Sequence, residues 1–185
     1  FGAGGWVALN GATSATAIAS VSQGRILIGV QLANSSEPAM TRLNLDGSPD
    51  PIHCCGDNDP WARASGAYDR RIVAIGESAD GTMFWATTGV DPYGYEMTRS
   101  SVFRFVQQGY YAMRSDFELG AGLERIRAMV VLPDNSLLVA GWASASYSSY
   151  DLTSRDAVVA KLAPFGFLDS TFGTNGKVVV DVNGT

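Results

Sequence analysis

Residues 168–182 read LDSTFGTNGKVVVDV, and the part from Phe172 onward has a second copy at residues 1–9, FGAGGWVAL. Both copies share the pattern Phe-Gly-x-x-Gly followed by apolar residues. Phe1 and Phe172 are 171 positions apart, which is three times 57. Self-similarity at a fixed period is the signature of repeat architectures. The sequence therefore predicts three repeats of about 57 residues, with the terminal strand present twice.

Each predicted repeat contains a hairpin of two short apolar runs joined by a polar turn. The turns contain Gly24, Gly81 and Asn135, which are 57 and 54 positions apart. Glycine and asparagine tolerate the positive φ that tight hairpin turns require. The flanking runs are rich in Val, Ile and Leu and too short for typical helices, so the pattern predicts β-strands.

A third strand is predicted after a polar loop in every repeat, at residues 39–44, 101–106 and 157–162. The Phe-Gly-x-x-Gly strand would be the fourth. Four short strands in about 57 residues match one blade of a β-propeller. We therefore expect an all-β, propeller-like fold of three blades, each with about four antiparallel strands. Three blades is fewer than usual, which leaves three possibilities: part of a larger ring, a ring completed by self-association, or an open array.

The expected organisation is a single repeat domain over residues 1–185. The predicted segments are a first repeat at about 1–53, a second at about 54–116, a third at about 117–171 and an extra strand at 172–185. A spare strand leaves one sheet edge unpaired, and such an edge invites pairing with another chain.

The composition excludes several classes of partner. Hydrophobic residues make up 46% and charged residues 17%, as in a folded globular chain. The net charge is -5 and the 13 basic residues are scattered, so no nucleic-acid partner is expected. No apolar run approaches the roughly 20 residues that cross a bilayer, so no membrane insertion is expected.

Residues 161–178, KLAPFGFLDSTFGTNGKV, resemble the delta-60 repeat family of bacterial surface and secreted proteins. The matching features are a basic strand end, a Gly-x-Leu-Asp turn and the motif Thr-Phe-Gly-x-x-Gly-Lys-Val. Residues 42–51 match the first half of this pattern, whereas residues 107–111 depart from it. The resemblance implies a propeller-type fold and an extracytoplasmic location, and it brings no established activity, cofactor or catalytic residue.

The densest group of potential ligands or nucleophiles is His53, Cys54 and Cys55, with Asp57 and Asp59 close behind. Such residues can hold a metal or activate a thiolate. Adjacent cysteines are poor joint ligands for one metal, however, and the chain has no other His or Cys. An inserted turn between blades is the favoured interpretation, and a disulfide involving Cys54 or Cys55 is left open.

Two loops at the same point of the second and third repeats carry tyrosines: Tyr93, Tyr95, Tyr147 and Tyr150. Tyrosine combined with serine and glycine is typical of adaptable recognition surfaces. If both loops emerge on one rim, they could form a glycan- or protein-binding patch. Ordinary packing of these rings on blade edges is the favoured alternative.

The sequence favours a non-enzymatic interaction or assembly module that acts outside the cytoplasm. It would bind a protein partner, or a second copy of itself, through strand edges and rim loops. No cofactor is expected, and no Gly-x-Ser-x-Gly nucleophile elbow occurs. Two alternatives stay open: a propeller-pocket hydrolase or lyase that uses His53 and a nearby carboxylate, and a glycan or small-ligand sensor that uses the four tyrosines.

Overall fold

A computed structural model shows a chain built almost entirely from β-strands. The structure describes residues 1–35, 37–50, 61–63, 71–90, 96–105, 112–145 and 155–181. Among these residues the only helical element is a short 3-10 turn at Ser22–Gly24. The described part of the chain contains no helix that is long and apolar enough to span a membrane.

The strands form three antiparallel sheets that follow one another along the chain. The first sheet has the order β1-β2-β3-β4, and a short fifth strand, β5, pairs with β3. Its strands are β1 (Ala12–Ser20), β2 (Ile26–Leu32), β3 (Pro38–Leu43), β4 (Pro49–Asp50) and β5 (Ala62–Arg63).

The second and third sheets have four strands each, in the orders β6-β7-β8-β9 and β10-β11-β12-β13. Their strands are β6 (Arg71–Glu77), β7 (Met83–Val90), β8 (Glu96–Phe105), β9 (Ala112–Phe117), β10 (Glu124–Val131), β11 (Leu137–Ser144), β12 (Arg155–Leu162) and β13 (Lys177–Val180). Three consecutive antiparallel sheets confirm the predicted all-β, propeller-like architecture.

The first two strands of each sheet are joined by the tight turn that the sequence predicts. Gly24, Gly81 and Asn135 have φ angles of +71°, +83° and +65°. Glycine has no Cβ to clash in this left-handed region, and asparagine tolerates it better than most residues. The prediction of these three turns is therefore confirmed.

The sheets pack face to face, with the second sheet in the middle. One face of this sheet contributes Trp85, Phe103 and Phe105 to a core that also contains Leu27 and Met40 of the first sheet. The Trp85 side chain is fully buried, and its ring centroid lies 4.3 Å from that of Phe105. This aromatic cluster holds the first and second sheets together.

The opposite face of the second sheet packs on the third sheet. Phe84, Ala86 and Val102 share a second core with Leu137 and Val139. Because neighbouring residues of a strand point to opposite faces, Phe84 and Trp85 are buried in different cores. The second sheet is therefore covered on both faces.

Residues 1–9 do not form the strand predicted to follow Phe1. The turn itself is the same in both copies, because Ala3 bridges to Trp6 as Thr174 bridges to Lys177. After the second copy the chain continues into β13, which pairs with β12.

An extended segment becomes a strand only when a ladder partner is beside it. Residues 7–9 have no such partner among the described residues, and Val7 and Leu9 pack instead against the outer face of the first sheet. The prediction of a terminal strand at this position is wrong for that reason.

The boundaries between the repeats stay predictions, and the boundary at 53–54 lies outside the described residues. Within residues 172–185, predicted as an extra strand, the structure places β13 as the fourth strand of the third sheet.

Two equivalent alanines test the arrangement of the sheets. Ala86 is fully buried between the second and third sheets, whereas Ala140, at the same position of the third sheet, lies half-buried on its outer face. We expect Ala86→Leu to lower the free energy of unfolding by about 1–3 kcal/mol, because a well-packed core does not accept extra methylene groups. Ala140→Leu should change it by less than about 1 kcal/mol. Urea denaturation measures both, and equal losses would contradict the packing order.

Candidate functional site

The site residues predicted from the sequence lie outside the part of the chain that the structure describes. This applies to the tyrosines Tyr93, Tyr95, Tyr147 and Tyr150, and to the cluster of His53, Cys54, Cys55, Asp57 and Asp59. Their roles stay predictions. Within the described residues, no group of three or more His, Cys, Asp or Glu side chains could hold a metal ion.

A network of four charged side chains joins the first sheet to the second. Glu77, at the end of β6, contacts Arg25 at 3.2 Å and Arg42 at 3.4 Å. Asp50 contacts the same arginines at 3.2 Å and 2.7 Å. The hydroxyl of Ser22 donates a further hydrogen bond to Glu77. Two acids and two bases therefore alternate around a closed ring.

Two members of this network are buried, so the network contributes to the stability of the fold. The Glu77 side chain is fully buried and that of Arg42 is 4% exposed. A buried charge that loses its partner destabilises a fold by several kcal/mol. The ring therefore requires the first and second sheets to meet in one register.

The second sheet has the equivalent arginine but not its partners. Met113 lies opposite Arg104 in the ladder, where Asp50 lies opposite Arg42 in the first sheet. The third sheet supplies Val131 at the position of the second-sheet acid. The Nε atom of Arg104 is buried and makes no hydrogen bond to any described residue. A polar group in this state destabilises the fold.

In the third sheet, Lys161 occupies the position of Arg42 and Arg104, and it lies on the outer face of the sheet. Lys161 forms an ion pair with Asp169 at 2.9 Å, in the way that Arg42 pairs with an acid. Beside it, Leu138, Ala140 and Val159 are only half-buried. The equivalent residues of the other two sheets, each covered by the next sheet, are all buried: Leu27, Gly29, Met40, Phe84, Ala86 and Val102. The outer face of the third sheet therefore carries apolar residues like those of the buried faces, but no described sheet covers it.

The outermost strand of the third sheet is exposed as well. Val178, Val179 and Val180 of β13 are 40%, 55% and 54% exposed. β13 pairs with β12 on one side and has no described strand on the other. An exposed apolar edge of this kind presents unpaired backbone groups to a partner strand.

Among the described residues, four aspartates begin turns of the form Asp-x-Ser or Asp-x-Thr: Asp46, Asp80, Asp134 and Asp169. In each turn a serine or threonine hydroxyl is the main cause that lowers the pKa of the carboxyl group, and a backbone N–H adds to it. For Asp169 the hydroxyl of Thr171 donates at 2.6 Å, and together with Lys161 and the Thr171 N–H it lowers the pKa to about 2. Hydrogen bonds to the charged form explain the direction.

Glu124 shows the opposite shift. Its side chain is almost fully buried, and burial raises the pKa of its carboxyl group. One of its oxygens accepts hydrogen bonds from the backbone N–H groups of Leu119 and Gly120. The residue thus fixes the loop between the second and third sheets.

A cavity of about 370 Å³ lies where the first strands of the three sheets meet. Three arginines line it: Arg71, Arg125 and Arg127. These three arginines were not among the site residues predicted from the sequence. The sequence does contain a pattern that could have identified two of them. Ser14, Arg71 and Arg125 are separated by 57 and 54 positions, the same spacing as the hairpin turns.

Two parts of the chain match a known family. Residues 22–51 and 132–172 match the sequence model of DUF5122, a domain of unknown function described as a β-propeller. The repeats are similar to β-propeller repeats. The matched segments run from the hairpin region through the third strand into the following turn, in the first and the third repeat. No curated protein matches the sequence. A β-propeller domain suggests a protein-interaction module in general, whereas a specific function depends on particular sites.

Arg104 provides a test of the repeat equivalence. We expect Met113→Asp to raise the free energy of unfolding by about 1 kcal/mol, because the new carboxylate would lie opposite Arg104 as Asp50 lies opposite Arg42. Met113→Asn is the matched control, since it offers a polar group of the same shape without the charge. Equal stabilities of the two variants in urea denaturation would contradict the proposed pairing.

The lowered pKa of Asp169 predicts a pH dependence of stability. Since the folded pKa of about 2 lies below the ordinary 3.8, the carboxylate stabilises the folded chain above about pH 4, and this stabilisation is lost as the pH falls toward 2. We expect the native protein to melt at a higher temperature than Asp169→Asn at pH 6, with the difference shrinking between pH 4 and pH 2.

The control for this measurement is Asp181→Asn, which removes an exposed aspartate outside the Asp-x-Ser and Asp-x-Thr turns. Its melting temperature should stay close to that of the native protein over the whole range. A constant difference between native protein and Asp169→Asn down to pH 2 would refute the assignment.

Proposed function

We propose that this chain is a non-enzymatic protein-interaction module that assembles through the third sheet. The partner packs on the outer face around Leu138, Ala140 and Val159 and pairs with the free edge of β13. A second copy of the chain is the partner that we propose first, because it offers strands of the same repeat.

The observation that carries this proposal is the difference between equivalent positions. Met40 and Val102 are buried because the next sheet covers them, whereas Val159 at the same position is only half-buried. Apolar strand faces of this kind are stabilised when they are removed from water. The ion pair of Lys161 with Asp169 supports the same conclusion, since the equivalent Arg42 bonds both to its own sheet and to Glu77 of the next. A partner with an acidic side chain could approach Lys161 in the same way.

We further propose that the chain is a delta-60-type repeat protein that acts outside the cytoplasm. The motif at residues 161–178 supports this proposal, and the backbone conformation explains why the motif contains three glycines. Gly166, Gly173 and Gly176 have φ angles of +87°, +56° and +87°, which favour glycine at those three positions. Fractionation of cells that produce the protein tests the location, and recovery from the cytoplasm alone would contradict it.

Self-association is tested by light scattering over a range of protein concentrations. We expect the native chain to form dimers or larger assemblies, and Val178→Lys with Val180→Lys to remain monomeric at the same concentrations. Charges on an edge strand prevent strand pairing. The double substitution should also leave the fold intact, because both valines are exposed.

The matched control is Leu45→Lys, which places the same charge on another exposed apolar residue, in a turn of the first repeat. It should assemble as the native chain does. Equal masses for the native chain and the β13 variant, whether monomeric or assembled, would argue against assembly through this surface. Addition of a reductant separates edge pairing from a link through Cys54 or Cys55.

A further inference from the structure

The cavity between the first strands is built from the same positions in all three sheets. Six of its lining residues come from two positions of the first strand, repeated three times: Ser14, Arg71 and Arg125 at one position, and Thr16, Val73 and Arg127 at the other. Gln31 and Thr88 occupy equivalent positions of the second strands and complete the wall. The cavity is therefore a product of the repeat and not of one irregular loop.

A β-bulge turns one of these positions toward the cavity in every sheet. The strand register shifts between Ala15 and Ala17, between Ile72 and Ala74, and between Ile126 and Ala128. The residues skipped by these shifts are Thr16, Val73 and Arg127. A bulged residue leaves the ladder and its side chain is re-aimed, which is why bulges are frequent beside binding sites. Three bulges at equivalent positions aim three side chains at one cavity.

The charge of the cavity is opposite to that of the protein. The chain has a net charge of -5, yet the wall contains three arginines and no acidic side chain among the described residues that line it. The guanidinium groups of Arg71 and Arg127 make no hydrogen bond or ion pair with any residue that the structure describes. Guanidinium groups carry donors and no acceptor, and their planar arrangement fits carboxylate and phosphate oxygens.

Hydroxyl groups of the wall add donors beside the arginines. Thr16 Oγ1 is buried and has no hydrogen-bond partner among the described residues. Thr88 Oγ1 donates to the carbonyl oxygen of Ile126 at 3.4 Å, which is a long contact. A buried hydroxyl without a partner destabilises the fold until a ligand or water satisfies it. The volume of about 370 Å³ lies in the range of small-molecule sites and is too small for a folded partner.

We propose that this cavity binds a small oxyanion with more than one charged group, of the phosphate or polycarboxylate class. Arg71, Arg125 and Arg127 neutralise the charge and donate hydrogen bonds, and the Thr16 hydroxyl contributes one more donor. This site is independent of the outer face of the third sheet, so it stands whether or not the chain self-associates.

Isothermal titration calorimetry at low ionic strength tests the proposal, with pyrophosphate in one arm and citrate in the other. We expect saturable binding of at least one anion, and weaker binding as the salt concentration rises, because salt screens charge pairs. Tighter binding of pyrophosphate would indicate a phosphorylated ligand, and tighter binding of citrate a polycarboxylate. Binding of neither anion by the native protein would overturn the proposal.

Two variants locate the site. Arg71→Ala and Arg127→Ala should each weaken binding by about tenfold or more, since each removes a charge-assisted hydrogen bond. Arg114→Ala is the matched control, because it removes an equal charge from an exposed arginine that does not line the cavity. It should bind as the native protein does. An equal loss in all three variants would mean that the anion responds to overall charge, and the proposed site would then be wrong.

Discussion

Three sheets stacked face to face have six faces, and only four of them can be buried against another sheet. This constraint sets the composition of the chain. The middle sheet carries the large aromatic residues Phe84, Trp85, Phe103 and Phe105, because both of its faces enter a core. The first sheet buries its outer face with parts of the chain that are not strands of the sheet, including Val7, Leu9 and Trp61. The third sheet has no such cover among the described residues, and its outer face carries small and medium side chains such as Ala140 and Val159.

Whether a sheet face is covered also determines the role of the basic residue at the end of the third strand. Arg42, Arg104 and Lys161 occupy equivalent places at the end of the third strand. The first takes part in a buried ring with acids of two sheets. The second has a buried Nε with no hydrogen-bond partner among the described residues, and the third has a partly exposed ion pair. A surface pair contributes little to stability, whereas a buried ring requires every member to be present. The charged groups thus fix the contact of the first two sheets more strongly than that of the last two.

The sequence was sufficient to predict the architecture, because the hairpin turns depend on local chemistry. Gly24, Gly81 and Asn135 adopt the backbone conformation that their residue types favour. The failed prediction concerned residues 1–9, where the motif was correct but no described strand lies beside the chain as a ladder partner. No local sequence pattern indicates whether a partner strand is present. The cavity lined by the arginines could not be predicted from the sequence for a related reason. A bulge at Arg127 depends on the pairing of β10 with β11, and scattered arginines do not appear as a cluster in the sequence until the sheets bring them together.

The cavity and the outer edge of β13 lie at opposite edges of the sheets, and this separation has a physical consequence. The cavity belongs to the first strands, whereas β13 is the fourth strand of its sheet, so three strand spacings of about 4.8 Å, or roughly 14 Å, separate β10 from β13. An anion bound between the first strands would not touch a partner strand on β13. It would instead neutralise charges carried by the second and third sheets, Arg71 on β6 and Arg127 on β10, and so favour their close approach. Ligand binding between the first strands would therefore stabilise the stack of sheets on which the outer face depends, without any contact between the anion and β13.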